Sequence, residues 1–201
     1  MEVGGGKILN LEALTSIRII RDKILSLVNT DLTTLNNIVS FGSAKVIDIE
    51  HYKIHEGSSF MCNHYSASFA NNTYLDLRLT TTTKQVHLMC SFNAGGACAG
   101  SLTEIATTTL GTPVTIYNLN RNSGTVSTVT AVTQPTVSNE GTVIFKTYLP
   151  GGAAAAPTTV GAGANSRVEV ILKTDTVYLV RLQNISGSAR SGVVNLSWYE
   201  I

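Results

Sequence analysis

An antiparallel β-sandwich or jelly roll, mainly β and carrying an amino-terminal helical segment, is the fold this sequence predicts. Three observations predict it. From about Ala44 onward apolar and polar residues alternate with period two, as half-buried antiparallel strands require. Clusters of Gly, Asn, Ser and Pro separate these runs at regular intervals, as in all-β folds with eight or more strands. A 3.6-residue period is confined to the first 43 residues, which sets a helical arm or attachment segment (1–43) apart from the β domain (44–201).

Taking the elements in order, Asn10 is placed to cap a helix after Gly4-Gly5-Gly6, with Glu12 favourable in its first turn. Ala13, Ile17, Ile20, Ile24, Leu27 and Val28 then share one face, while Arg18, Asp22, Lys23 and Ser26 lie around the remainder; Ile19 falls on the polar side. A second helical turn follows from Asp31, with Leu32, Leu35 and Val39 as its stripe and Gly42 as its stop. An isolated helix of this length is marginal in water, so its apolar face needs a partner worth on the order of 10 kcal/mol gross. That partner is its own β domain, a symmetry mate or another protein of the same assembly; an extended arm is the other reading. The face is the candidate contact with a subunit or partner protein.

In the β domain, Leu75, Leu77 and Leu79 alternate with Tyr74, Asp76 and Arg78; Val86, Leu88, Cys90 and Phe92 alternate with Gln85, His87, Met89 and Ser91. Val143, Phe145 and Leu149 share a face, as do Val168, Val170 and Leu172, and then Val194, Leu196 and Trp198. Val177 to Leu182 is apolar on both faces, which predicts a central strand. Gly95-Gly96, Gly111-Thr112-Pro113, Asn122-Ser123-Gly124, Asn139-Glu140-Gly141 and Ser186-Gly187 supply the turns. Leu149 to Ser166, rich in Gly, Ala and Pro, reads as a long loop.

Charged residues make up only 13% of the 201, so the polar surface comes from Thr, Ser, Asn and Gly. A net charge of +1 without blocks of like charge argues against nucleic acid as a partner. No secretory signal is visible at Met1 to Gly6, and Arg18, Arg21, Asp22 and Lys23 interrupt the first apolar stretch, so no membrane partner is expected. Cys62, Cys90 and Cys98 are too few, and odd in number, for a disulfide framework; they read as reduced thiols.

Candidate chemistry is sparse. His51, His55, Cys62, His64 and His87 raise a metal hypothesis, but on a strand His51 and His55 stand about 13 Å apart at ~3.3 Å per residue, too far to share one ion. They are read as packing or surface residues, with no metal and no cofactor expected. No nucleophile elbow, zincin motif, Walker loop or dinucleotide fingerprint occurs, and carboxylates such as Glu50 and Glu56 are read as solvated, so no catalytic residue is assigned. Tyr65, Phe69, Tyr74 and Tyr117 suit a sugar-binding groove, although a chain with 6% aromatics needs most of them in its core.

Two stretches carry a resemblance: His51-Tyr52-Lys53-Ile54-His55-Glu56-Gly57-Ser58-Ser59-Phe60 with the runs Thr73–Leu79 and Gln85–Phe92, and Arg167 through Asn195-Leu196-Ser197-Trp198-Tyr199-Glu200, with Tyr117-Asn118-Leu119-Asn120-Arg121-Asn122-Ser123 between them. Over residues 44–201 the chain resembles tailed-phage capsid decoration, or cement, proteins with a jelly-roll domain. The amino-terminal segment lies outside the resemblance. The resemblance implies a homotrimer on the outer surface of the virion, made in the host cytoplasm, bound to the major capsid protein near local three-fold axes, and bridging capsomers without catalytic residues or cofactors. Another virion component, such as a head fibre, tail or baseplate module binding a host receptor or glycan, is the alternative.

Overall fold

The computed structural model describes residues 18–26, 48–151 and 169–201. The chain divides into two units, Met1–Ile47 and Asp48–Ile201. In the first, residues 18–26 form helix α1, and Arg21 pairs with Asp22 on its surface at 2.8 Å. Ala13, Ile17, Leu27, Val28 and the turn expected from Asp31 to Gly42 lie outside the described residues.

The second unit opens with helix α2, Ile49–Glu56, where period-two patterning was expected. Its ends explain it. The Asp48 side chain accepts a hydrogen bond from the Glu50 backbone N–H, and Gly57, at φ 75°, closes the helix by donating to the Ile54 carbonyl. None of its residues is buried, so no apolar stripe announces it.

Four strands follow in close succession: β1 (Ser59–Phe69), β2 (Tyr74–Thr80), β3 (Val86–Ala94) and β4 (Cys98–Glu104). Residues 105–141 make an excursion containing β5 (Thr107–Thr109), β6 (Thr112–Pro113), β7 (Tyr117–Asn118), β8 (Thr130–Thr133) and β9 (Thr136–Asn139). The chain then returns as β10 (Thr142–Leu149), β11 (Glu169–Leu172), β12 (Val177–Asn184) and β13 (Arg190–Glu200).

These strands build one sheet in the order β11-β3-β13-β1-β7 and a second in the order β10-β4-β12-β2-β8-β6, with β5-β9 as a separate ribbon. Every pairing is antiparallel. With the excursion set aside and the other eight strands renumbered along the chain, the sheets read 6-3-8-1 and 5-4-7-2. That is the strand order of a jelly roll, in which the chain passes from sheet to sheet around one core. The excursion adds β7 beyond β1 and β8-β6 beyond β2, so it extends both sheets on the same flank.

Alternation sets what faces the core. Leu75, Leu77 and Leu79 of β2, Leu88 and Phe92 of β3, and Val194, Leu196 and Trp198 of β13 are all buried in one cluster. The Trp198 and Phe60 rings lie 6.1 Å apart within it. Strand β12 is central, flanked by β4 and β2, and Tyr178 through Leu182 are all buried; its apolar character on both faces has this cause. In β10 the register slips between Val143 and Phe145. This bulge adds a residue, Ile144, and takes Val143 out of the core-facing row, so Val143 and Ile144 are both exposed.

The excursion leaves and rejoins the sandwich through left-handed backbone. Ile105, Leu110 and Gln134 have φ of 60°, 57° and 49°, unusual for residues with a Cβ and tolerated only where surrounding structure fixes them. Gly141, at φ 76°, makes the return; a Cβ there would sit 2.1 Å from the Glu104 carbonyl oxygen.

Candidate functional site

Three groups of hydrogen-bonded polar residues tie the strands and connections of the sandwich together. On β12, alternation turns Arg181 away from the core between Val180 and Leu182. Its Nε and Nη2 donate to the two carboxylate oxygens of the cross-strand neighbour Asp76, at 2.9 and 3.0 Å. Nη1 donates to Glu140 in the β9–β10 turn, and the guanidinium lies 3.9 Å from the Tyr74 ring centroid. Arg181 and Asp76 are both buried. Burial holds the Asp76 carboxyl above its ordinary range, with the Arg181 hydrogen bond opposing it. The cluster fastens the excursion to the face of its sheet.

The second group centres on Glu200 at the end of β13. Its carboxylate accepts from Ser127 Oγ at 2.5 Å, from the Thr128 backbone N–H at 3.0 Å and hydroxyl at 2.9 Å, and from Trp198 Nε1 at 3.4 Å. It anchors the long connection between β7 and β8. Asn118 supports the same connection from its other end, donating to the Gly57 carbonyl at 2.7 Å and the Thr125 carbonyl at 3.0 Å.

In the third group Glu169 of β11 accepts from Tyr199 at 2.6 Å and contacts His87 Nδ1 at 2.5 Å, and the His87 and Tyr199 rings stack at 4.5 Å. Burial and then the bond to Glu169 push the Tyr199 phenol up to about 12. His87 Nε2 is buried and has no hydrogen-bond partner among the described residues. Both rings are buried, so the trio ties β11, β3 and β13 together at one end of the sheet.

The three cysteines are unpaired thiols. Burial pushes Cys62 and Cys90 up to about 12 and Cys98 to about 11, which keeps them protonated and poor nucleophiles at neutral pH.

Part of what the sandwich leaves uncovered is apolar. Among the described residues, β10 and β11 end their sheets on the flank opposite the excursion. Val143, Ile144 and Tyr148 of β10 and Ile171 of β11 are exposed there, Tyr148 at 61%. Edge strands offer backbone groups for pairing, and large apolar side chains beside them favour a protein partner. On the outer face of the sheet that contains β11, Tyr65 and Tyr117 are also exposed, on neighbouring strands β1 and β7, and Arg121 lies 5.2 Å from the Tyr117 ring.

Of the contact residues expected from sequence, Ile20 and Ile24 lie on α1 and are 58% and 54% exposed; Ala13, Ile17, Leu27 and Val28 fall outside the described residues. Ile19 and Leu25 are exposed as well. The four aromatics suggested for a sugar groove are not brought together: Tyr65 and Tyr117 share a face, Phe69 is in the core, and Tyr74 packs under Arg181. His64 is half-buried against the Asp76 carbonyl at 3.2 Å, and burial lowers its pKa. His51 and His55 are on one face of helix α2, which removes the separation expected for a strand; their Nε2 atoms are 3.0 Å apart. Among the described residues no three His, Cys, Asp or Glu side chains gather around a common point, and no helix is long and apolar enough to cross a membrane.

No protein-family model, curated protein or solved structure matches the chain. The sequence reading missed the β10–β11 flank because edge position is a property of the sheet order. Its one local signal was the adjacent pair Val143-Ile144, which breaks the alternation and marks the bulge.

Proposed function

We propose that this protein is a structural component of a tailed-phage virion, a capsid decoration or cement protein that binds the major capsid protein on the outer surface of the head and bridges neighbouring capsomers. The observation that carries this reading is a jelly roll whose buried polar groups are largely engaged with one another and whose two edge strands, β10 and β11, expose the large apolar side chains of Val143, Ile144, Tyr148 and Ile171. A surface of this kind suits protein contact rather than catalysis, nucleic acid or membrane. The jelly-roll order and the segment resemblance over 44–201 favour the same reading; fold alone does not assign function. Trimerisation would join three modest attachments into one of high avidity, lost only when capsomers separate. Made in the host cytoplasm, such a protein needs no cofactor.

Light scattering at micromolar concentration and cosedimentation with phage heads stripped of decoration test the proposal. The expected result is a trimer that saturates heads in multiples of three and raises their disruption temperature. A protein that is monomeric both free and on particles, or that leaves heads unbound, refutes it. The exposed Tyr65 and Tyr117 on one face of the sheet, with Arg121 beside Tyr117, favour, as a second reading, a fibre, tail or baseplate module whose aromatic rings stack on a host glycan. Glycan binding abolished by Tyr65→Ala with Tyr117→Ala, without head binding, would select it.

A further inference from the structure

From the geometry of helix α2 we infer that His51 and His55 form a two-histidine chelate for a borderline divalent transition-metal cation such as Cu²⁺, Ni²⁺ or Zn²⁺. Residues four apart on a helix stand one above the other, and here the two rings meet edge to face, with centroids 4.7 Å and an interplanar angle of 70°. The Nε2 atoms are 3.0 Å apart. Two imidazole nitrogens bound to one ion at about 2.0–2.1 Å lie about 2.9 Å apart at a right angle and about 3.4 Å apart at a tetrahedral angle. The observed separation falls inside that span, so the two nitrogens already stand at chelating distance, and binding needs each ring to turn its Nε2 lone pair from its neighbour toward the ion.

The helix that presents the pair is held at both ends. Asp48 caps its start, Gly57 closes its finish, and the His55 carbonyl accepts from Asn120 Nδ2 at 3.2 Å. Both rings are exposed, whereas the other two histidines of the chain are committed, His64 to a backbone carbonyl and His87 to Glu169. No third protein ligand stands with them among the described residues. With two ligands from α2, the remaining coordination positions are open to water or to a further donor. Nitrogen donors select against Mg²⁺ and Ca²⁺, which require oxygen. The ring proton shared across the 3.0 Å contact moves to an Nδ1 when the ion binds, so both Nε2 lone pairs face the metal.

The test uses the full-length untagged chain, titrated calorimetrically with Ni²⁺, Zn²⁺ and Cu²⁺. With half the ligands of a structural zinc site, one ion per chain with a Kd on the order of 1–100 µM is expected. Cu²⁺ should bind tightest and Mg²⁺ should not compete. His51→Ala and His55→Ala should each weaken Ni²⁺ binding at least about tenfold, because either change leaves one donor. Copper bound to the wild type should show two nitrogen donors by electron paramagnetic resonance, and Ni²⁺ should raise the melting temperature of the wild type but not of the double variant. The inference is overturned if wild type binds Ni²⁺ no tighter than the double variant, or if both single variants keep wild-type affinity. Circular dichroism of the variants, whose altered side chains are exposed, checks that α2 and the sandwich persist.

Discussion

Replacing Arg181 by Met tests the buried ion cluster most directly. The wild-type guanidinium makes a two-pronged bond to Asp76 at 2.9 and 3.0 Å, and Asp76 is only 4% exposed. Methionine fills much of the same volume and leaves that carboxylate without its cation. Removing one partner of a buried pair costs about 3–5 kcal/mol. Glu140 loses the same contact, but its side chain is 55% exposed and water replaces the arginine there at little cost. With a urea dependence of about 2 kcal/mol per M, the unfolding midpoint should fall by about 1.5–2.5 M. Trp198, the single tryptophan and 1% exposed, reports the transition by fluorescence.

The deficit must also depend on pH. Burial already raises the folded Asp76 pKa above 3.8, and Arg181 restrains that rise; the variant lacks the restraint, so its Asp76 goes higher. A raised folded pKa contributes stability that is whole below 3.8 and is lost as pH climbs through the folded value. Because the variant's value lies above the wild type's, the loss continues over a wider window. The deficit should therefore be smallest near pH 4 and grow by about 1.4 kcal/mol per pH unit between the two folded pKa values. Adding Asp76→Asn to the variant should flatten this dependence. A deficit under about 1 kcal/mol, or one equal at about pH 4.5 and pH 7.5, would refute the reasoning.

Glu200→Gln should cost about 2–3 kcal/mol, since an amide cannot accept all the bonds from Ser127, Thr128 and Trp198; amide exchange should speed up first in residues 119–129. The native protein should react slowly with a thiol reagent at about pH 8 and expose three thiols in guanidinium, because burial keeps Cys62, Cys90 and Cys98 protonated; rapid native labelling would contradict this. Ile20→Asp with Ile24→Asp, on exposed positions of α1, should leave the melting of the unit 48–201 unchanged while reducing self-association or head binding at least about tenfold. Unaltered assembly would show that these two side chains make no contact that matters.

Much of the sandwich was determined by the sequence alone, because a strand with one buried face writes its burial into every second residue. Leu75-Leu77-Leu79 and Val194-Leu196-Trp198 are buried as their alternation requires, and Val177–Leu182 reads as central because both its faces are covered. Helix α1 was legible from the 3.6-residue spacing of its apolar residues, although Ile20 and Ile24 are exposed in the structure. Helix α2 was not: it buries no residue, so periodicity carries no trace of it, and only its caps, Asp48 and Gly57, mark it. That misreading also separated His51 from His55, since one backbone state places residues four apart about 13 Å from each other and the other brings their rings into contact. Strands β6 and β7 have two residues each, too few to display any period. The jelly-roll order, the exposed β10–β11 flank and the meeting of Arg181 with Asp76 were decided only by tertiary structure. Each depends on pairing between segments far apart in the chain, and a residue's local sequence reports whether it is covered but not by what.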